Sequence, residues 1–338
     1  MAIAFYSGHD EQYALCDQGT WGTAATDGAA GQGLHMIGWD LKPMVNVVEW
    51  NTSKAQRYYS TNDFVVNEKG VLHEVAMPAI PFLKDQGDKF LYACIQNVSE
   101  GTATPYLKTF TFPQYQPDFS AGGGDFYTLV NKMPVASVSH KLHDAIIRDL
   151  TLSCSPGAND GMLVAESTWL ARSQVETSNY AGTITYPDVT VGDDFYFFHD
   201  ILSFKLTSTA IVLGDDGFKL TITNGAMPLG GASGLPQTYR LPFFKASLTF
   251  QALWDDRMRT CMSNMRSGSA MDAEIIWGTV IGADEFLEIV LNGKFSSSRD
   301  LTHAEEGEFV TLTMDAYGEY GGVEPLSIYM TNAIDRTW

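Results

Sequence analysis

At 338 residues, 45% of them apolar, the chain exceeds the size at which one hydrophobic core stops growing and is long enough for two. Forty acidic residues against twenty-one basic ones give a net charge of −19. The acids are scattered in doublets (Asp193-Asp194, Asp215-Asp216, Asp255-Asp256, Asp284-Glu285, Glu305-Glu306), a pattern that argues for a folded acidic surface and against a tight grip on nucleic acid, whose phosphates need Lys and Arg.

Residues 19–33 are small and Gly-rich, too poor in apolar side chains to bury a face, and residues 1–39 read as an extended N-terminal arm. Strands are expected at 44–50 and 71–80, followed by a helix over 81–96 with Pro81 at its start. Further strands fall at 106–112, 126–131, 145–153 and 162–170, and the polar segment 171–183 marks a domain boundary. Beyond it, 202–207 and 218–223 alternate apolar and polar residues, and Gly214-Asp215-Asp216-Gly217 reads as the hairpin turn between them. A Gly/Pro-rich loop, 224–237, precedes a strand at 241–253. A second helix then starts with Asp255 as N-cap and stops at Gly268. The last strands lie near 273–280, 286–291, 309–314 and 326–330.

Both halves therefore run through strands, a strand entering one short helix, and more strands, with 150–157 and 310–318 as the plainest matching trace. The expected fold is mainly β: two tandem β-sandwich domains, 40–172 and 173–338, each with one flanking helix.

Candidate chemistry is sparse. Cys16, Cys94, Cys154 and Cys261 lie far apart without a CxxC pair, so neither a zinc site nor a disulfide framework is suggested. No cofactor is indicated. His143-Asp144 and His199-Asp200 are sequence neighbours, which on a strand face opposite sides, so surface or loop-end positions are expected rather than a catalytic pair. The acidic doublets lack calcium-loop spacing and read as hairpin tips. The tryptophans are dispersed in apolar strands, which favours core or interface packing over a sugar platform. The start of the chain has no basic residue and too short an apolar run for a signal peptide, and no stretch suits a membrane span. Synthesis in a cytoplasm is the expectation.

The run from Phe204 through Leu220-Thr221-Ile222-Thr223-Asn224-Gly225, a Gly/Pro loop, 241–250 and Leu253-Trp254-Asp255-Asp256, together with Gly19-Thr20-Trp21-Gly22-Thr23-Ala24, resembles the tail tube proteins of long-tailed bacteriophages. The resemblance implies a non-enzymatic structural protein of the virion tail, made in the host cytoplasm. It implies β-sandwiches whose sheets join around a ring into an inner barrel, with rings stacked into a tube. A doubled chain would form rings of three, a single one rings of six. Implied partners are other copies of the chain, a tape-measure protein, tail-end proteins, and DNA passing the lumen without specific binding; no membrane is involved. The acidic charge suits a lumen that repels DNA. Candidate assembly contacts are Gly214, Asp215, Asp216, Gly217, Met227, Pro228, Leu229 and Leu235, whose loop is more apolar than solvent requires. Alternative readings are a decoration or baseplate β-sandwich of a phage-like particle and a carbohydrate-binding module.

Overall fold

The computed structural model describes residues 11–36, 40–44, 47–49, 64–66, 72–115, 117, 119, 126–132, 139–177, 180–186, 194–230, 236–266, 271–278, 286–297, 307–316 and 323–336. The first half contains β1 (Gln12–Gln18), β2 (Gly31–Gly33), β3 (Asp40–Met44), β4 (Val47–Glu49), β5 (Phe64–Val66), β6 (Leu72–Pro81), α1 (Gly87–Ile95), β7 (Val98–Glu100), β8 (Tyr106–Thr111), β9 (Phe126–Lys132), β10 (Ser139–Cys154), β11 (Val164–Ala171) and β12 (Ser173–Thr177). After β13 (Ile184–Thr185) come β14 (Ile201–Leu206), β15 (Thr209–Ala210), β16 (Leu213–Thr223), β17 (Met227–Gly230), β18 (Pro236–Arg240), β19 (Lys245–Leu253), α2 (Asp256–Arg266), β20 (Met271–Trp277), β21 (Leu287–Ser297), β22 (Phe309–Ala316) and β23 (Leu326–Asn332). The protein is mainly β, as expected.

Period-two burial explains the strands. In β19, Ala246, Leu248, Phe250 and Ala252 are buried while Lys245, Ser247, Thr249 and Gln251 take the wetter face. In β20, Met271, Ala273, Ile275 and Trp277 are buried in the same way. Helix α1 begins later than expected: Pro81 ends β6, a turn follows in which the Gly87 amide donates to Leu83 O at 2.7 Å, and only then does the helix run. Helix α2 is capped as expected, the Met258 amide donating to Asp255 Oδ1 at 2.9 Å. The stop at Gly268 lies outside the described residues.

The ladders follow one plan in both halves. In the first, β2 pairs with β1, β1 with β9, β9 with β10, β10 with both β12 and β11, β11 with β6, and β6 with β3, all antiparallel. In the second, β15 pairs with β14, β14 with β20, β20 with β21, β21 with both β23 and β22, β22 with β19, and β19 with β16, again antiparallel. A separate hairpin interrupts each half at the same place, β4–β5 between β3 and β6, and β17–β18 between β16 and β19. One bulge also agrees, since β10 shifts register against β11 between Ile147 and Asp149, and β21 against β22 between Phe295 and Ser297. One row of residues across four strands, Ile147–Trp169–Val75–Leu41, has the counterpart Phe295–Met314–Leu248–Leu220.

These pairings correct two expectations. The trace 150–157 against 310–318 compares β10 with β22, whereas the ladders make β21 the counterpart of β10 and β22 that of β11. The segment expected as an arm is laid onto the sheet over its described part, with β1 paired along its whole length to β9. Within the segment expected as a boundary, Ser173–Thr177 form β12, paired with β10. Three ladders cross from one half to the other: β10 with β16, β8 with β23, and β13 with β2. Leu150, Leu152, Leu220 and Ile222 share one buried cluster at the first of these junctions.

Candidate assembly surface

Gly214, Asp215, Asp216 and Gly217 do not form the expected hairpin turn. The turn that follows β14 is Thr207-Ser208, both with positive φ (45° and 64°) as a two-residue hairpin demands. Strands 202–207 and 218–223 do not pair with each other. Instead the four residues bulge out within β16: Leu213 lies opposite Ala252 but Phe218 opposite Phe250, so β16 advances five residues while β19 advances two. Gln251 pins the bulge, its Oε1 accepting from the Asp216 amide at 3.1 Å and its Nε2 donating to the Asp216 carboxylate at 2.9 Å. Gly217 closes it at φ +63°, where a Cβ would sit 1.9 Å from Cys154 O on β10. Asp215 and Asp216 are exposed; both glycines are buried.

Met227, Pro228 and Leu229 lie together on β17 and are exposed, whereas Leu235 lies outside the described residues. The expected loop 224–237 is thus a hairpin with an apolar outer strand. Its base is fixed from both sides. The buried Asn224 donates to Cys94 O at 2.8 Å and Ile147 O at 2.7 Å and accepts from the Ala226 amide at 3.0 Å. Gly225 takes φ +60° with the Phe243 ring where a Cβ would point. On β18 the fully buried Tyr239 donates to Asp144 O at 2.9 Å and meets the rings of Trp21 and Phe119 at 5.4 and 5.9 Å. The Asn-Gly step is therefore the rigid root from which the hairpin projects.

Two apolar surface features escaped the sequence reading. Beside the hairpin, Tyr115, 75% exposed, and Phe243, 45% exposed, flank a cleft of about 440 Å³ with Arg240 on its rim. The expected strand over 241–253 begins only at Lys245, which leaves Pro242-Phe243 outside the sheet; that apolar pair next to a proline was the available signal. On the second half, Leu202, Val212 and Phe309 are also exposed, and Leu202 borders a hollow of about 290 Å³ with Phe198 and Ile211.

Buried charge serves as fastening. Asp88, in the first turn of α1, holds Lys108 Nζ at 2.6 Å and Arg336 Nε at 2.9 Å. The side chains of Asp88 and Lys108 are fully buried. Lys108 also donates to Asn332 Oδ1 at 2.8 Å and Ile334 O at 2.9 Å, so the cluster ties residues 332–336 to the helix. Burial would raise the Asp88 pKa, but Arg336 and Lys108 override it and hold the carboxyl below its ordinary range. His143-Asp144 is a correction: both side chains are buried. Asp144 has φ +55°, which breaks strand alternation and brings His143 Nδ1 to 3.0 Å from its carboxylate. Asp144 also accepts from Gln18 and from the Gly22 amide at 2.9 Å, which docks the Gly-rich segment. His199-Asp200 is exposed as expected, and Trp169 and Trp277 are core residues. Trp39, Trp50 and Trp338 lie outside the described residues. Cys16, Cys94, Cys154 and Cys261 are buried free thiols, and among the described residues no group of three or more His, Cys, Asp or Glu is placed to hold a metal ion.

A sheet-rich chain with firmly rooted projections and apolar surface rims has the properties of a structural protein that meets other proteins through its faces. A family model described as phage tail tube protein matches residues 8–308, and the chain belongs to that family. It is a component of the phage tail, in a family whose members assemble into the tube. No curated protein matches the chain.

Proposed function

We propose that this chain polymerises as stacked rings into the tail tube that conducts DNA during ejection, each ring built from three copies of a doubled domain. One unit runs from β1 to β12 and the other from β14 to β23. The observation that carries the reading is the shared ladder plan of the two halves, joined by the β10–β16 ladder. Such a junction is heterologous: the edge offered by one unit differs from the edge that receives it, so repetition continues until a ring closes. Part of the −19 net charge lines the lumen and keeps DNA from adhering.

The exposed Met227, Pro228 and Leu229 belong to the contacts between subunits or rings, as do Asp215 and Asp216. Tape-measure and tail-end proteins meet the tube at its interior and its ends. Deleting residues 228–234 tests the reading: the protein is expected to stay soluble and folded, because Asn224 and Tyr239 root the hairpin outside the deletion, yet to form no tubes under negative-stain microscopy. Tubes of normal length from the deletion variant count against the hairpin as an assembly element.

A further inference from the structure

We infer that the end of the second unit around Trp254 and Phe309 is a docking site for a Phe-Tyr-x-x-His-Asp motif, and that its occupant is residues 5–10 of another copy. The inference deepens the assembly reading and rests on the doubled plan behind it. The chain carries the motif twice, as Phe5-Tyr6-Ser7-Gly8-His9-Asp10 and as Phe195-Tyr196-Phe197-Phe198-His199-Asp200, each just before the first strand of a unit. Residues 5–10 lie outside the described residues, but the strands that follow put the two motifs in step. The Leu34 amide donates to Tyr13 O as the Ile211 amide does to Phe204 O, which makes Tyr13 the counterpart of Phe204. Phe5 stands eight residues before Tyr13 and Phe195 nine before Phe204. The extra residue is taken up by the register shift of β14 between Ile201 and Ser203.

The motif at 195–200 shows how such a segment is held. It lies across the end of the first unit: the Leu163 amide donates to Tyr196 O at 2.7 Å, the Lys84 amide to Asp194 O at 3.2 Å, and Met162 forms a β-bridge with Phe197. The buried Tyr196 ring meets Phe82 of the first unit at 6.3 Å and Trp277 of the second at 5.9 Å. The second unit repeats the receiving geometry. Its Trp254 amide donates to Glu308 O at 2.7 Å as the Phe82 amide does to Leu163 O at 2.9 Å, so Trp254 stands for Phe82, Glu308 for Leu163 and Phe309 for Val164. In the first unit these positions are covered, with Leu163 at 1% and Val164 at 4% exposure; in the second, Glu308 is exposed and Phe309 is 48% exposed. A motif docks on the unit preceding its own. Residues 5–10 lead into the first unit, and the second unit that could precede it belongs to another copy. Main-chain pairing supplies the register and the tyrosine the anchor.

The test is a full chain with Tyr6→benzoylphenylalanine, a photoreactive aromatic of similar shape, irradiated after concentration. The expected result is covalent dimers on a denaturing gel whose cross-link maps by mass spectrometry to residues 254–258 or 307–309. Adding Phe309→Asp, a change at an exposed position, should abolish them while the melting curve of the dilute chain stays unchanged. A second measurement needs no assembly. The full chain carrying Phe5→Ala and Tyr6→Ala, whose own motif cannot compete, is titrated into a fluorescein-labelled peptide of residues 1–12. Saturable polarisation is expected, weaker by about tenfold or more for the Tyr6→Ala peptide, as for loss of a buried aromatic anchor, and weakened likewise by Phe309→Asp in the chain. Cross-links that map elsewhere, or dimers and peptide binding that are indifferent to Phe309→Asp, overturn the inference. Tubes under the microscope with neither cross-link nor peptide binding at that end overturn the docking and leave the tube reading intact. Peptide binding that depends on Tyr6 and Phe309, in a protein whose native chain forms no tubes, supports the docking and counts against the tube.

Discussion

Replacing Asp88 by Asn keeps the shape of the side chain and removes the one charge that Lys108 and Arg336 share. Taking away one partner of a buried ion pair costs about 3–5 kcal/mol, because the remaining charge is left uncompensated. The lower figure applies here: Lys108 retains the oxygens of Asn332 and Ile334 and lies 3.6 Å from Glu100. At about 2.1 cal/mol/K of unfolding entropy per residue, the chain carries roughly 0.7 kcal/mol/K, so a loss of about 3 kcal/mol lowers Tm by about 4 °C. The pH dependence has a definite sign. Because the folded pKa of Asp88 lies below its ordinary value, its contribution is fully present above the unfolded value of about 3.9 and is lost as pH falls through the folded one. The gap between wild type and Asp88→Asn should therefore be full at neutral pH and shrink under acid. Thermal melts of the dilute, unassembled chain at neutral and acid pH measure both quantities; dilution matters because assembly itself stabilises. A Tm within about 1 °C of wild type at neutral pH, or a gap that does not change with pH, refutes the cluster as the fastening of residues 332–336.

Gly217→Ala meets both a positive φ and Cys154 O at 1.9 Å; a loss of about 1–3 kcal/mol is expected from backbone strain alone, measured as a lower urea midpoint, and an unchanged midpoint contradicts the close packing of β10 on β16. Asn224→Ala strands the carbonyls of Cys94 and Ile147 and the Ala226 amide. It should cost about 2–3 kcal/mol and expose the β17–β18 hairpin to limited proteolysis; equal cleavage rates in variant and wild type disprove its role as root.

Much of the strand content was legible because alternation is a local signal. Strands β6, β8, β9, β11, β19 and β20 come from segments with a plain apolar face, and Asp255 announced α2. Which strand pairs with which was not legible. Any strand with Thr or Ser on its wet face resembles any other, so the trace across the halves matched β10 to β22 instead of β21. Gly214-Asp215-Asp216-Gly217 has the composition of a hairpin turn, yet the reversal is made by Thr207-Ser208, whose residue types carry no such signal. The Gly-rich segment near Trp21 looked like an arm because its partners, Asp144, Phe126 and Tyr239, lie more than a hundred residues away. The hairpin was half visible: its glycines and prolines announced a reversal and Met227 and Leu229 an apolar surface, but Tyr239 and Phe243 act through contacts that no local pattern encodes.

The most direct test of the account is a cryo-electron microscopy map of the concentrated native chain. Stacked rings with a central channel of negative potential are expected, each ring made of three copies that present six equivalent units. A particle without a channel, or a ring whose two halves of each chain take unequal places around it, contradicts the doubled tube domain.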